Sequence, residues 1–350
     1  MTLMRTIDLH THILPETWPD WTERTGVAGW IRLEHHRPCC ARMVKTEKGG
    51  GTTFFREVGS NCWDPAVRVK ECDELMGPGG VQVLSTVPVM FSYWADPQHA
   101  LDLSRLLNDH IAGVVREFPG RFVGLGTVPM QSPGMAVKEL ERCVRELGMA
   151  GIQIGTNVNG ANLDDDGVVE VLAAAEALGA CVFVHPWEML GRERMAKYWT
   201  PWLVGMPAET CLAICSVIFG GVLEKLPRLR VCFAHGGGSF PGTLGRIQHG
   251  FEARPDLCAV SCRTSPASYV RQADGTPARF YVDSLVHDAE ALRFLVRLMG
   301  ADRVAVGSDY PFPLGEAHPG ELVKGIADFT PSERSRLLWE TAEEFLGRRV

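Results

Sequence analysis

The sequence predicts a single α/β domain over residues 1–350, a parallel (β/α)₈ TIM barrel with a small β-ribbon inserted at 13–61, after the first strand. Three observations lead to that fold class. Eight short runs rich in apolar and β-branched residues recur along the chain, as strands buried on both faces require. Each is followed by an amphipathic helical stretch, the alternation that builds a closed parallel sheet. No Gly-x-Gly-x-x-Gly follows the first run, which disfavours a doubly wound dinucleotide-binding sheet.

Taken in order, the first strand is expected at 5–9 and leads straight into His10-Thr11-His12. The stretch 13–61 is rich in Gly, Thr and Arg, and the alternation across 52–58 reads as a β-ribbon. His35-His36 and Cys39-Cys40 lie within it. Adjacent residues point to opposite faces and the spacing is not that of a zinc knuckle, so these four read as loop residues. Later strands are expected at 81–86, 122–127, 151–154, 181–184, 230–233, 280–283 and 304–307. Helices are expected at 66–76, 97–118, 133–147, 165–178, 209–219, 243–252, 289–299 and 332–346. Residues 201–207 and Gly236-Gly237-Gly238 read as irregular segments after strand ends.

A net charge of -7 argues against a general nucleic-acid or anionic-membrane surface. No apolar run approaches membrane-spanning length, and the first strand begins too soon for a leader peptide. The chain is therefore expected to be cytoplasmic, with no nucleic-acid or membrane partner. Its 11 cysteines are an odd number, scattered and without a Cys-x-x-Cys pair, which is how reduced core cysteines are distributed.

Barrel active sites lie at the C-terminal ends of the strands, and four of the expected strands end in imidazole or carboxylate. The first ends in His10 and His12, which share a strand face; the fifth ends in His185, the sixth in His235 and the eighth in Ser308-Asp309. Imidazoles with a carboxylate suit Zn²⁺ or a similar divalent ion. The fourth strand, Gly151-Ile152-Gln153-Ile154-Gly155, offers no lysine or acidic bridging ligand, so one ion per chain is expected. Asp8 shares the His10 face and reads equally as a group orienting a ligand or as a structural carboxylate. Spacing does not divide the roles of His185, His235 and Asp309; a histidine left uncoordinated would act as general base on metal-activated water.

His10-Thr11-His12-Ile13-Leu14-Pro15, Asn61-Cys62-Trp63-Asp64-Pro65 and the stretch 85–94 together resemble the 2-amino-3-carboxymuconate 6-semialdehyde decarboxylase family of the amidohydrolase superfamily. So do His185-Pro186-Trp187, 195–210, 233–238 and 309–316. The resemblance implies an amidohydrolase-like barrel working as a zinc-dependent, non-oxidative decarboxylase in the kynurenine branch of tryptophan catabolism, diverting flux from quinolinate. It implies His10, His12, His185 and Asp309 as ligands of one Zn²⁺ and His235 as the catalytic acid/base. It also implies Arg56 as a partner for a carboxylate of a dicarboxylate substrate, and Trp187, Met189, Trp202 and Phe312 as pocket lining. Arg246 corresponds to an arginine that enters the neighbouring subunit's site, which implies a homodimer. Two departures stand out: Gly49-Gly50-Gly51 lengthens the insertion before Phe54, and Gly77-Pro78-Gly79-Gly80 replaces a more polar turn. They bear on the lid near Arg56 and on Lys45, a further candidate anion contact. Read on the residues alone, both arginines are ordinary surface residues. The same ligand set also allows hydrolysis of a lactone or amide, decarboxylation of an aromatic acid, or a barrel that binds without turnover.

Overall fold

In the computed structural model, which describes residues 5–350, strand β1 (Ile7–Ile13) opens the barrel. The inserted strands β2 (Ile31–Arg37), β3 (Cys40–Thr46) and β4 (Thr52–Gly59) follow. Barrel strands β5 (Val81–Thr86), β6 (Phe122–Gly126), β7 (Gly151–Gly155) and β8 (Cys181–His185) come next. The barrel ends with β9 (Arg230–Phe233), β10 (Tyr281–Asp283) and β11 (Val304–Ala305). The eight barrel strands pair in the order β1-β5-β6-β7-β8-β9-β10-β11. β11 is short, and the chain beyond it closes the ring on β1: Leu9 N–H donates to Val306 O, Asp309 N–H to His10 O and His12 N–H to Tyr310 O, each at 2.8 Å. Closure itself thus sets Asp309 beside the two histidines of β1.

Local chemistry places the helices. Asp64 and Asp96 cap the helices Pro65–Met76 and Pro97–Glu117 by accepting backbone N–H groups, and in each the next residue is a proline whose missing N–H costs nothing in the first turn. Inside the barrel, Ile7, Leu9, Val83, Phe183 and Cys232 pack against Phe345 and Leu346 of the C-terminal helix. This apolar plug forms the floor of the barrel, and the Phe183 ring lies 4.9 Å from that of His10.

Several expectations need correction. β1 runs on to Ile13 because its pairing with β5 resumes after a register shift between Asp8 and Thr11, so both histidines lie within the strand rather than after it. The insertion is a three-stranded antiparallel sheet, and the ribbon expected at 52–58 is only its last strand. His35 and His36 lie in β2 and Cys40 opens β3; only Cys39 falls in the tight turn between them. Polar residues on the outward face hide the alternation of the buried Ala41 and Met43. Trp21, Trp30 and Met43 anchor this sheet against Leu103 and Leu107 of the helix Pro97–Glu117. Residues 201–207, expected irregular, are helical: a widened turn at Pro201–Gly205 runs into the helix Met206–Phe219. Pro207 has no N–H to donate, and the turn widens where that bond is missing. The resulting helical stretch Pro201–Phe219 is long and apolar enough to cross a membrane, contrary to the expectation that no run approaches that length. Half of it is buried, with Ile214, Val217 and Ile218 packed into the barrel's outer layer.

Candidate metal centre

Four side chains from the ends of β1 and β8 and from the segment after β11 converge on one point. Among the described residues, His10, His12, His185 and Asp309 bring one potential ligand atom each within 4.8 Å of one another. Asp309 Oδ1 stands 3.4, 3.0 and 4.0 Å from the Nε2 atoms of His10, His12 and His185. The Nε2 atoms of His10 and His12 are 3.2 Å apart.

The proton inventory explains what this cluster requires. Each Nδ1 faces an oxygen that only accepts: Asp283 Oδ2 for His10 at 2.7 Å, Thr86 O for His12 at 2.9 Å and Pro186 O for His185 at 3.0 Å. Each Nδ1 therefore holds its ring's proton, and each Nε2 turns a bare lone pair towards the same carboxylate oxygen. His185 Nε2 is buried with no hydrogen-bond partner among the described residues. Three lone pairs and a carboxylate crowded together without a donor repel one another, and a cation relieves that repulsion. Three imidazole nitrogens and one carboxylate oxygen fit a divalent ion of zinc's type.

The local electrostatics agree. Burial, reinforced by the neighbouring imidazoles, pushes the His185 pKa well below its usual value. Burial also lowers that of His12, against the pull of Asp309. Burial alone would raise the Asp309 carboxyl, but the close approach of His12 and His235 holds it well below the usual carboxylate range. His235 stands apart from the cluster. Its Nε2 lies 3.9 Å from the other Asp309 oxygen, and its Nδ1 has no hydrogen-bond partner among the described residues. Burial opposes its charged form, but Asp309 and Asp283 outweigh burial and raise its pKa. His235 and Asp309 both adopt left-handed backbone, with φ of 56° and 58°. Non-glycine residues hold that conformation only where their surroundings enforce it.

Above the cluster is a cavity lined by His12, Phe55, Arg56, His185, Trp187, Trp199, Trp202, Asp309 and Phe312. A second lobe reaches His235 past Trp202, Met206 and Leu285. Arg56, on β4, packs its guanidinium against Phe312, Phe55 and Trp202 at 4.4, 5.2 and 5.9 Å from their ring centroids. No ion pair joins it among the described residues. Burial lowers its pKa, partly offset by the charge of Asp309. A desolvated guanidinium facing a cavity without a carboxylate partner is a ready anion site.

The expected lining residues Trp187, Trp202 and Phe312 are all in place. Met189 is not; it packs beneath Gly205, where an added Cβ would come within 3.1 Å of its own Cβ. Lys45 is exposed on β3, away from the cavity lining. Arg246 is exposed on the outer helix Phe240–Ala253 and does not reach this chain's cluster. Asp8 takes a structural part: it accepts the Ser308 N–H at 3.0 Å and the Ser308 hydroxyl, tying β1 to the segment that holds Asp309, and burial lifts its pKa to about 8.

Sequence reasoning missed Asp283, Arg68, Phe55 and Trp199. Asp283 ends β10, so the strand-end rule that singled out the histidines applied to it equally. Arg68 is fully buried in the helix Pro65–Met76 and donates to His12 O at 2.6 Å and Gln82 Oε1 at 3.0 Å. Nothing in an amphipathic helical pattern marks such an arginine as pointing inward.

Comparisons with known proteins extend this geometry. The amidohydrolase family model matches residues 7–348. The chain is 58% identical to a 2-amino-3-carboxymuconate-6-semialdehyde decarboxylase of Dictyostelium discoideum, over 97% of this chain and 91% of that one. It is 38% identical to a protein of the same name from Caenorhabditis elegans, over 98% and 94% respectively. Its fold is shared with the crystal structure of 5-carboxyvanillate decarboxylase from Sphingomonas paucimobilis, with a TM-score of 0.78 at 21% identity, covering 99% of this chain and 100% of that one. The chain therefore belongs to the amidohydrolase family and, within it, to the 2-amino-3-carboxymuconate-6-semialdehyde decarboxylases.

Proposed function

We propose that this decarboxylase is zinc-dependent and converts 2-amino-3-carboxymuconate 6-semialdehyde to 2-aminomuconate 6-semialdehyde and CO₂. In this reading it acts in the kynurenine branch of tryptophan catabolism and draws flux away from quinolinate. The observation that carries the reading is the convergence of three bare Nε2 atoms and Asp309 Oδ1 beneath an unpaired, aromatic-walled Arg56. The 58% identity to the Dictyostelium relative supports the choice of substrate.

His10, His12, His185 and Asp309 would hold one Zn²⁺ per chain. The ion, when bound, supplies a Lewis acid that activates water near neutral pH. Arg56 binds a substrate carboxylate, and Phe55, Trp187, Trp202 and Phe312 hold the flat conjugated chain while excluding bulk water. His235 gives and takes a proton at Nε2, the imidazole nitrogen that faces the cluster without belonging to it. The bond from C3 to its carboxylate breaks, its electron pair passes into the substrate's own enamine-aldehyde system, and the proton held at His235 completes the product carbon. No organic cofactor is required, because the substrate is the electron sink.

The proposal includes a homodimer in which Arg246 of each chain serves its partner's site. Exposed Leu203, Val204 and Leu212 support self-association, since they leave an apolar face on the helix that packs against the helix of Arg246. It also includes a cytoplasmic location, consistent with 11 unbridged cysteines. The test is a panel assay of CO₂ release from fresh aminocarboxymuconate semialdehyde, from hydroxylated benzoates and from lactones. Release from the semialdehyde alone supports the assignment; faster turnover of an aromatic acid or a lactone would overturn it.

A further inference from the structure

Asp283 is a fully buried carboxylate, and its two oxygens serve different parts of the site. Oδ2 accepts the His10 Nδ1–H at 2.7 Å, with both side chains wholly shielded from solvent. Oδ1 accepts the backbone N–H of Gly236 at 2.8 Å and that of Leu285 at 3.1 Å. Gly236 immediately follows His235, and the two residues are consecutive in left-handed conformation, with φ of 61° and 56°. A Cβ on Gly236 would lie 2.5 Å from Val286 Cγ1, so the turn is wedged sterically on one side and tethered to Asp283 on the other.

We infer that Asp283 is a positioning residue that couples the metal centre to the general acid/base, an inference that rests on the metal and His235 roles proposed above. Through Oδ2 it fixes the tautomer and ring orientation of His10, leaving Nε2 bare for the ion. Through Oδ1 it pins the turn that aims His235 into the cavity. One rigid carboxylate thereby sets the spacing between a ligand of the ion and the proton carrier, which β1 and the turn after β9 supply independently. Arg56 lies across the cavity on β4, so substrate capture is outside the control of Asp283.

Asp283→Ala removes both tethers at once. Its zinc dissociation constant, measured by chelator competition without substrate, is expected to rise at least tenfold. At saturating zinc, kcat is expected to fall at least tenfold while KM stays within about twofold, a split that general loosening of the barrel would not produce. Zinc affinity or kcat remaining within twofold of wild type, or KM rising in step with the fall in kcat, would overturn the coupling. Should the variant fail to fold, the wild-type protein supplies the decision. Imidazole ¹⁵N NMR of metal-free protein is expected to show His10 with its proton on Nδ1, and a neutral ring protonated at Nε2 instead would overturn the inference. Zinc affinity and tautomer are read without substrate, so an error in the substrate assignment leaves both results interpretable.

Discussion

At the residue scale, the site is an arrangement of protons as much as of atoms. Three Nδ1–H groups are committed to acceptors, which makes the bare Nε2 cluster unfavourable without a cation. His185→Ala should therefore bind zinc at least tenfold more weakly, checked by metal analysis after gel filtration. His235→Ala should keep about one zinc per chain and lose about 10²–10⁴-fold in kcat, read by steady-state kinetics. Glu316 offers a separate test on stability. Burial lifts its pKa from 4.5 to about 7, so the folded chain keeps a proton there that the unfolded chain has already released. Its contribution is thus most favourable below pH 4.5, declines as pH rises towards 7 and is level above that. Glu316→Gln should gain about 1–3 kcal/mol over wild type at pH 8 relative to pH 4, measured by urea denaturation at the two pH values. The candidate residues were legible at this scale because His10, His12, His185, His235 and Asp309 follow apolar runs, but spacing did not say which of the last three bind the ion. Asp283 obeyed the same rule without an imidazole to draw attention to it. Arg68 left no mark in the helical pattern.

At the element scale, the parallel barrel was legible because strands buried on both faces give unbroken apolar runs. The insertion was less so: β2 and β3 bury one face only, and their outward His, Arg and Glu residues dilute the alternation. Residues 201–207 misled for another reason, since two prolines in seven residues read as a break where the helix instead widens. The extra glycines of the insertion now have a place. Gly49, Gly50 and Gly51 form the exposed tip between β3 and β4, and a Cβ on any of them would meet nothing. Thr46 pairs with Thr52 below that tip, while Arg56 pairs with Met43 beyond a register shift. Replacing residues 47–51 with Asn-Gly, which favours a two-residue hairpin turn, should leave kcat/KM within about twofold in a steady-state assay. A tenfold loss would mean that the tip does shape the lid.

At the scale of the whole molecule, closing the ring brings Asp309 to His10 and His12, while the insertion folds over the barrel mouth to add Arg56. Arg246 takes no part in the site of its own chain. Arg246 points to solvent, so Arg246→Ala should abolish activity only if a second chain needs it. Hybrid dimers of the Arg246→Ala and His235→Ala chains, two inactive parents, should recover about half of wild-type activity per hybrid dimer, because one of the two sites in each hybrid has both residues intact. No recovery in hybrids confirmed by mass would exclude sharing between subunits.

Zinc dependence and substrate are tested together by following the absorbance of freshly generated aminocarboxymuconate semialdehyde against a control for spontaneous cyclisation, using protein as purified, stripped by chelator and reloaded with zinc. About one zinc per chain, accelerated loss with matching CO₂ release, abolition on stripping and recovery on reloading are the predicted results. Undiminished turnover by the stripped protein, or no acceleration by protein that holds its zinc, would contradict a zinc-dependent decarboxylase built on His10, His12, His185 and Asp309.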